Sequence, residues 1–206
     1  MAAPGWPAVL ADDRVGVRPI RFRDAMAWSE VRARNLDWLA PWEATAPGGP
    51  GLAEASAVSA FPAMVRNLRR HARAGGALPF VVIVDDALVG QVTVAGILRG
   101  ALNGGHVGYW VDRQVAGRGV IPTALALVAD HCFTVAGLHR LEANVRPENA
   151  ASRRVVEKLG FRDEGLRRRF LYIDGDYRDH VSYALMADDV PEGVLRRWHS
   201  VRESAP

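Results

Sequence analysis

The chain has 206 residues, 49% hydrophobic and 24% charged, a composition that fits a soluble globular protein with a core of its own. A formal charge of +3, spread over scattered arginines, suits contact with anionic ligands but does not demand nucleic acid. One cysteine, Cys132, excludes an internal disulfide and fits a reducing compartment; Pro122, Asp130 and His131 interrupt the best apolar run, and the amino terminus does not read as a signal peptide, so a cytoplasmic protein is expected.

Arg14 to Ile20 reads as a strand, and Asp24 is placed to cap a helix running to about Trp38. Leu39 to Gly51 then holds three prolines and three glycines, a loop composition. A second helix from about Leu52 to Arg73 should be kinked or split at Pro62. Trp38, Trp42 and Phe61 cluster around this connection, either as a satellite core or as a wall of a substrate cleft. Phe80 to Val84 and Leu88 to Leu98 are β-branched runs separated by Asp85-Asp86-Ala87, an antiparallel hairpin. A third strand follows from about His106 to Asp112.

Gln114-Val115-Ala116-Gly117-Arg118-Gly119 comes next and opens into an apolar helix, Ile121 to Val135. Glycines let the backbone turn tightly and approach a ligand, and a helix start aims unpaired N–H groups and a positive dipole end at the same point. Strand, glycine turn and helix together suit a phosphate or pyrophosphate. Neither GxGxxG nor GxxxxGK[ST] is present, so no dinucleotide fold or P-loop is supported. A strand at 138–146 and a short helix at 150–159, ended by Gly160, follow. Strands near 166–173 and 177–186 meet at Asp174-Gly175, residues that favour a two-residue type I′ turn, and a helix from about Asp188 to Ser200 closes the chain. The order predicts one α/β domain, residues 1–206, with a mixed, mostly antiparallel central sheet flanked by helices.

The pattern Gln-x-x-Gly-x-Gly, followed by Leu138 to Val145, Arg146-Pro147-Glu148-Asn149-Ala150-Ala151-Ser152 and Val155 to Phe161 with its Leu-Gly-Phe turn, resembles the GNAT N-acetyltransferase superfamily. Ile173 to His180 resembles the RimJ and RimL subgroup, which acetylates N-terminal amines of ribosomal proteins, with the RimJ type nearer. The likeness runs from about residue 14 to about 187 and is strongest after 105. It implies the GNAT fold and acetyl-CoA as the acetyl source. It also implies a pyrophosphate site built from Val111, Gln114, Ala116, Gly117, Arg118, Gly119 and Val120, with Asn149 and Ser152 toward the pantetheine.

Acetyl transfer to an amine needs a neutral nucleophile, a stabilised oxyanion and a proton for the departing thiolate. A lysine with pKa about 10.4 costs roughly 4 kcal/mol to deprotonate at neutral pH, whereas an α-amino group near 7.7–8.0 costs only about 1. A protein terminus can therefore be served by a weak base or a water chain. Related RimI enzymes place a glutamate and a tyrosine at positions that correspond here to Asn144 and Val156, and RimL-like enzymes a glutamate where this chain has Leu171. Neither carboxylate is present. Ser152 remains as hydrogen-bond partner or proton donor to the sulfur, against its alternative reading as a first-turn capping residue, and Asn149 is a good N-cap.

Glu142 shares a strand face with Asn144 and can reach an amine through water, or can pair with Arg140 or Arg146. Of Tyr109 and Trp110, one is expected in the core and the other along the thioester channel; Arg153 and Arg154 are candidates to meet the adenosine phosphate. The six histidines show no metal-ligand spacing, so no metal is expected. The expected partners are acetyl-CoA and a protein N-terminus beginning with Ala or Ser, with no membrane and no obligatory nucleic acid, and the chain as monomer or homodimer. Two other readings stay open: an acetyltransferase for small amines such as polyamines, antibiotics or amino acids, and a CoA-binding sensor that does not turn over.

Overall fold

A computed structural model describes residues 3–204; the other four residues of the expected 1–206 domain lie outside the described ones. Eight strands form one sheet in the order β1-β2-β3-β4-β5-β6-β8-β7. They span Leu10–Asp12 (β1), Val15–Pro19 (β2), Ala77–Val84 (β3), Ala87–Leu98 (β4), Gly104–Val111 (β5), Arg140–Val145 (β6), Arg162–Ile173 (β7) and Asp176–Met186 (β8). All pairings are antiparallel except β5 with β6. The helices are Ala25–Arg34 (α1), Leu36–Leu39 (α2), Leu52–Ala55 (α3), Phe61–Arg73 (α4), Val120–Thr134 (α5), Ala150–Lys158 (α6) and Val194–Glu203 (α7). The architecture is the expected α/β one, a mixed, mostly antiparallel sheet flanked by helices.

Alternation along β3 shows how the sheet is covered. Phe80 and Val82 belong to the main core with α5, α6 and α7, while Val81 between them packs with Ile20, Trp28, Val31, Phe61 and Val65 under α1 and α4. A strand covered on both faces reads as a continuous apolar run, as Ala77 to Val82 does. Helix α5 lies deepest, with Ala124, Leu125, Ala126, Val128 and Ala129 fully buried. Burying one such leucine or valine contributes about 1.5–3 kcal/mol relative to exposure. Cys132 belongs to this core, and burial pushes its thiol pKa up to about 12, so it behaves as a small apolar residue.

Two differences from the expected elements have local causes, and one expected break is found. The first helix breaks at Asn35, because its side-chain amide donates to Val31 O and to Asp112 and its oxygen accepts from Arg113 N–H, which pulls the chain off the helical path. Asp24 caps nothing in α1; buried in a 3-10 turn, its carboxylate accepts from Arg21 N–H and from both terminal nitrogens of Arg18. The expected 52–73 helix is two helices, with Pro62 in the first turn of α4, where its missing N–H is harmless. The expected Asp174-Gly175 turn has φ of +49° and +78°, as a type I′ turn requires.

Candidate active site

The parallel pair β5–β6 is joined only through Gly104–Gly105–His106 against Arg140–Leu141–Glu142. Beyond that, β5 stays paired with β4 as far as Val111 against Gly90, and β6 with β8 as far as Val145 against Val181. Each strand is held by its outer neighbour while the two inner edges diverge, opening a fork in the middle of the sheet. Two cavities, of about 640 Å³ and 590 Å³, flank this fork and share Trp42, Glu43, Tyr109, Trp110, Asn149 and Ser152.

The larger cavity lies over the glycine turn. Val111, Ala116, Gly117, Gly119 and Val120 line it, joined by Arg154 and Lys158 from α6. Gly117 and Gly119 have φ of +77° and +80°, the left-handed region that side chains resist. Among the described residues, the N–H groups of Gly117, Gly119, Val120 and Ile121 have no acceptor, whereas Val115, Ala116 and Arg118 N–H groups close the turn on Asp112, Arg113 and Val115 carbonyls. Free donors at the start of a buried 15-residue helix, with two cations on the rim, fit a diphosphate. Asp112 anchors the turn: it accepts from Gln114 N–H at 3.2 Å, from Asn35 at 2.9 Å and from Arg34. Burial works against its charge, but these hydrogen bonds outweigh it and hold the carboxyl below the usual range.

Across the fork, the smaller cavity is walled by Trp28, Trp42 and Trp110, by residues of β4, β5 and β6, and by His180 of β8. Trp28 and Trp110 meet edge to face at 6.1 Å, and the Arg32 guanidinium, 3% exposed, stacks 5.3 Å and 5.1 Å from their rings. Arg32 also pairs with Glu43 at 3.1 Å and donates to Ser56 Oγ. Asn144 lines this cavity and accepts from Ser182 Oγ at 2.6 Å. Arg146 donates to Pro41 O at 2.7 Å and lies over the Trp42 ring, fastening the 39–51 loop to the end of β6. His180, also a lining residue, has Nδ1 3.0 Å from Arg178 O.

At the junction, Tyr109 donates its hydroxyl to the Ser152 carbonyl at 3.2 Å, and burial raises its pKa above the ordinary phenol value. Asn149 caps α6 by accepting from Ser152 N–H at 3.0 Å. The Ser152 hydroxyl itself has no hydrogen bond among the described residues and borders both cavities. Helix capping therefore uses the serine backbone and leaves the hydroxyl free for a ligand.

Glu142 takes the second of its two expected readings, pairing with Arg140. It shares a face with Asn144, but its oxygens take guanidinium hydrogen bonds from Arg140 at 2.9 Å and Arg167 at 3.3 Å, and it lines neither cavity. Gln114 and Arg118 are exposed beside the glycine turn and do not line its cavity. Arg153 and Arg154 part company: Arg153 donates to Tyr183 OH at 2.9 Å and pairs with Glu157, whereas Arg154 borders the larger cavity. Tyr109 and Trp110 both line the fork, so neither is simply core. Trp38 and Trp42 are cavity wall, and Phe61 is core.

The sequence reading missed the Asn35–Asp112 link, the buried Arg32 between two indoles, and His180. The first two join residues far apart in the chain, while His180 is marked by its burial in the cavity wall beside the carbonyl of Arg178 on its own strand. Among the described residues, no helix is long and apolar enough to cross a membrane, and no group of three or more His, Cys, Asp or Glu is placed to hold a metal.

Residues 14–162 match the acetyltransferase (GNAT) domain. Mycobacterium smegmatis RimJ, solved in complex with CoA-disulfide, superposes with a TM-score of 0.93 at 42% identity, covering 98% of each chain. The ribosomal protein uS5-alanine N-acetyltransferase of Escherichia coli (strain K12) is 29% identical over 187 residues, 89% of this chain and 93% of its own length. The probable N-acetyltransferase YjcK of Bacillus subtilis (strain 168) is 42% identical over 105 residues, 51% of this chain, and this chain spans 58% of that relative's length. The chain belongs to the GNAT family of acetyl-CoA-dependent N-acetyltransferases.

Proposed function

We propose that this protein, acting as one domain in the cytoplasm, transfers an acetyl group from acetyl-CoA to the N-terminal amine of a protein, with a ribosomal protein beginning in Ala or Ser as the natural acceptor. One observation carries the reading: two cavities meet at the β5–β6 fork, one over a cradle of free N–H groups and the other walled by tryptophans and polar side chains. The carrier fits the larger cavity, its diphosphate on the free N–H groups of Gly117, Gly119, Val120 and Ile121, with Arg154 and Lys158 supplying positive charge at the rim. Bound there, acetyl-CoA supplies the activated acetyl group.

The chain's own residues then have distinct tasks. Splayed β5 offers backbone N–H groups to the thioester carbonyl, because its inner edge has lost its strand partner beyond His106. Ser152, whose hydroxyl is free at the junction, hydrogen-bonds the sulfur as negative charge develops on it, while Tyr109 holds the Ser152 backbone in place through its carbonyl. Trp28, Trp42 and Trp110 exclude water from the acceptor side. The relatives named for uS5 alanine acetylation and RimJ support a peptide acceptor, as does a second cavity of about 590 Å³, spacious for a small diamine.

The test is mass spectrometry of peptides with free Ala, Ser or other N-termini after incubation with the enzyme and acetyl-CoA. Modification of α-amines on Ala or Ser peptides is expected. Acetylation confined to lysine, polyamines or amino acids would favour the small-amine reading, and tight CoA binding with no thiol release would favour the silent sensor.

A further inference from the structure

Among the described residues, the acceptor side has no free carboxylate. Glu142 is tied to two arginines outside the cavity, Glu43 is paired with Arg32, and position 171 is a leucine. Tyr109 is held protonated by burial, which suits an acid and not a base. Two histidines line this cavity. His106 is exposed at the closed end of the fork and, among the described residues, makes no hydrogen bond that would fix its tautomer. His180 differs on each count: it is 2% exposed, and Nδ1 faces the Arg178 carbonyl oxygen at 3.0 Å. A carbonyl oxygen only accepts, so Nδ1 carries the hydrogen and Nε2 keeps the lone pair. Nε2 has no partner among the described residues, and the Phe170 ring, edge-on at 5.9 Å, holds the imidazole in place.

We propose that His180 Nε2 accepts the first proton from the acceptor amine, making His180 the general base of the transfer; this rests on the two-cavity reading above. The acceptor enters as an ammonium. Its first proton passes to Nε2 and then, from the imidazolium, to solvent at the cavity mouth. The freed lone pair forms the bond from nitrogen to the acetyl carbon as the carbon–sulfur bond breaks. A second proton leaves the same nitrogen and ends on the CoA sulfur at the Ser152–Tyr109 junction. Ammonium and thioester become amide, thiol and one released proton.

The charged groups around the ring support a neutral imidazole at working pH. Arg178 and Asp179 flank it on β8, Arg167 is its register partner on β7, and Arg146 and Glu148 come from the end of β6. Burial has the largest effect and lowers the His180 pKa; the Arg178 carbonyl opposes it, Arg146 adds to it, and Asp179 and Glu148 oppose it more weakly. Below its ordinary value, the group is already in the proton-accepting form at neutral pH.

The experiment compares the full chain with His180→Gln and His180→Ala, recording kcat and kcat/KM from about pH 5.5 to about pH 9.5 on peptides and small amines. At neutral pH the variants should lose about 10²-fold in kcat, recover toward the wild-type rate as solvent deprotonates the amine above about pH 9, and keep CoA affinity within about threefold. That recovery is the readout that a merely structural role would not move. Profiles of variant and wild type that run parallel at every pH would overturn the proposal, as would loss of the acid limb in His106→Gln instead. A variant that no longer binds CoA has lost its fold; the pH profile of the other variant then decides. If the wild type acetylates small amines and no peptide, the peptide reading fails while the His180 profiles still decide the base. Peptide acetylation undisturbed in both variants sinks His180 alone. A wild type silent with every acceptor contradicts both.

Discussion

Asn35 donates to Asp112 Oδ1 at 2.9 Å and accepts from Arg113 N–H at 3.0 Å, so the break between α1 and α2 is locked onto the base of the glycine turn. Helices that wall the acceptor side are thereby held in register with the carrier site. Asp112→Ala removes the shared anchor, leaving the buried Asn35 Nδ2 with Val31 O alone and the N–H of the exposed Gln114 without its acceptor. The expected cost is about 2–4 kcal/mol of stability, discounted for the partly exposed Arg34, with a loss of tenfold or so in CoA affinity. Urea unfolding and calorimetric titration check both; an unchanged CoA affinity in a folded variant would remove Asp112 from the site's support.

The same carboxylate sets an acid dependence. Its folded pKa lies below the unfolded value, so the charged form contributes stability above about pH 3.9 that is lost as pH falls through the lower folded value. Thermal unfolding should therefore fall off below about pH 4, and Asp112→Asn should flatten that part of the profile. An identical slope in the variant would show that Asp112 titrates no differently in the folded and unfolded chains.

Gly117 and Gly119 should respond differently to substitution. A Cβ at Gly117 meets nothing within 4 Å, so Gly117→Ala carries only left-handed strain of about 1–2 kcal/mol. Gly119→Ala adds a contact at 3.2 Å with Trp198, a buried ring held by its donation to Thr123 Oγ1 at 2.8 Å. Thermal melts should rank Gly119→Ala as the less stable variant. Gly117→Glu, with open space around it, should fold and still bind CoA at least about tenfold more weakly, because its charge faces the diphosphate. Unweakened binding would place the diphosphate elsewhere.

Ser152→Ala leaves the α6 cap intact, since the cap uses the serine N–H and Asn149 Oδ1. Stability should change by less than about 0.5 kcal/mol, while kcat falls roughly tenfold to a hundredfold with CoA affinity nearly constant. A fall in CoA affinity equal to the fall in kcat/KM would make the hydroxyl a binding group with no part in the departure of the thiol.

Local chemistry made much of this legible in the sequence. The strand from about His106 to Asp112, the glycine turn and the apolar α5 were legible because strand, turn and helix start are short-range patterns. Asp174-Gly175 fixed a turn by φ alone. What stayed hidden was decided by tertiary partners: Asn35 ended a helix because Asp112 and Arg113 lie beside it, and Asp24 turned away from capping to meet Arg18. Glu142 was read correctly as to strand face, yet its reach was settled by Arg167 from β7, 25 residues away. His180 sat in plain view within Ile173 to His180, but its tautomer depends on a backbone oxygen of its own strand and its burial on the cavity wall.

The most direct test of the account is a crystal structure of the chain with a bisubstrate ligand, CoA joined through an acetyl bridge to the α-nitrogen of an Ala-initiated peptide. The account predicts the diphosphate on the N–H groups of Gly117, Gly119, Val120 and Ile121, the sulfur beside Ser152 and Tyr109, and the peptide leaving past Trp28, Trp42 and His180. A carrier docked away from the glycine turn, or a peptide emerging on the side of α5, would contradict it.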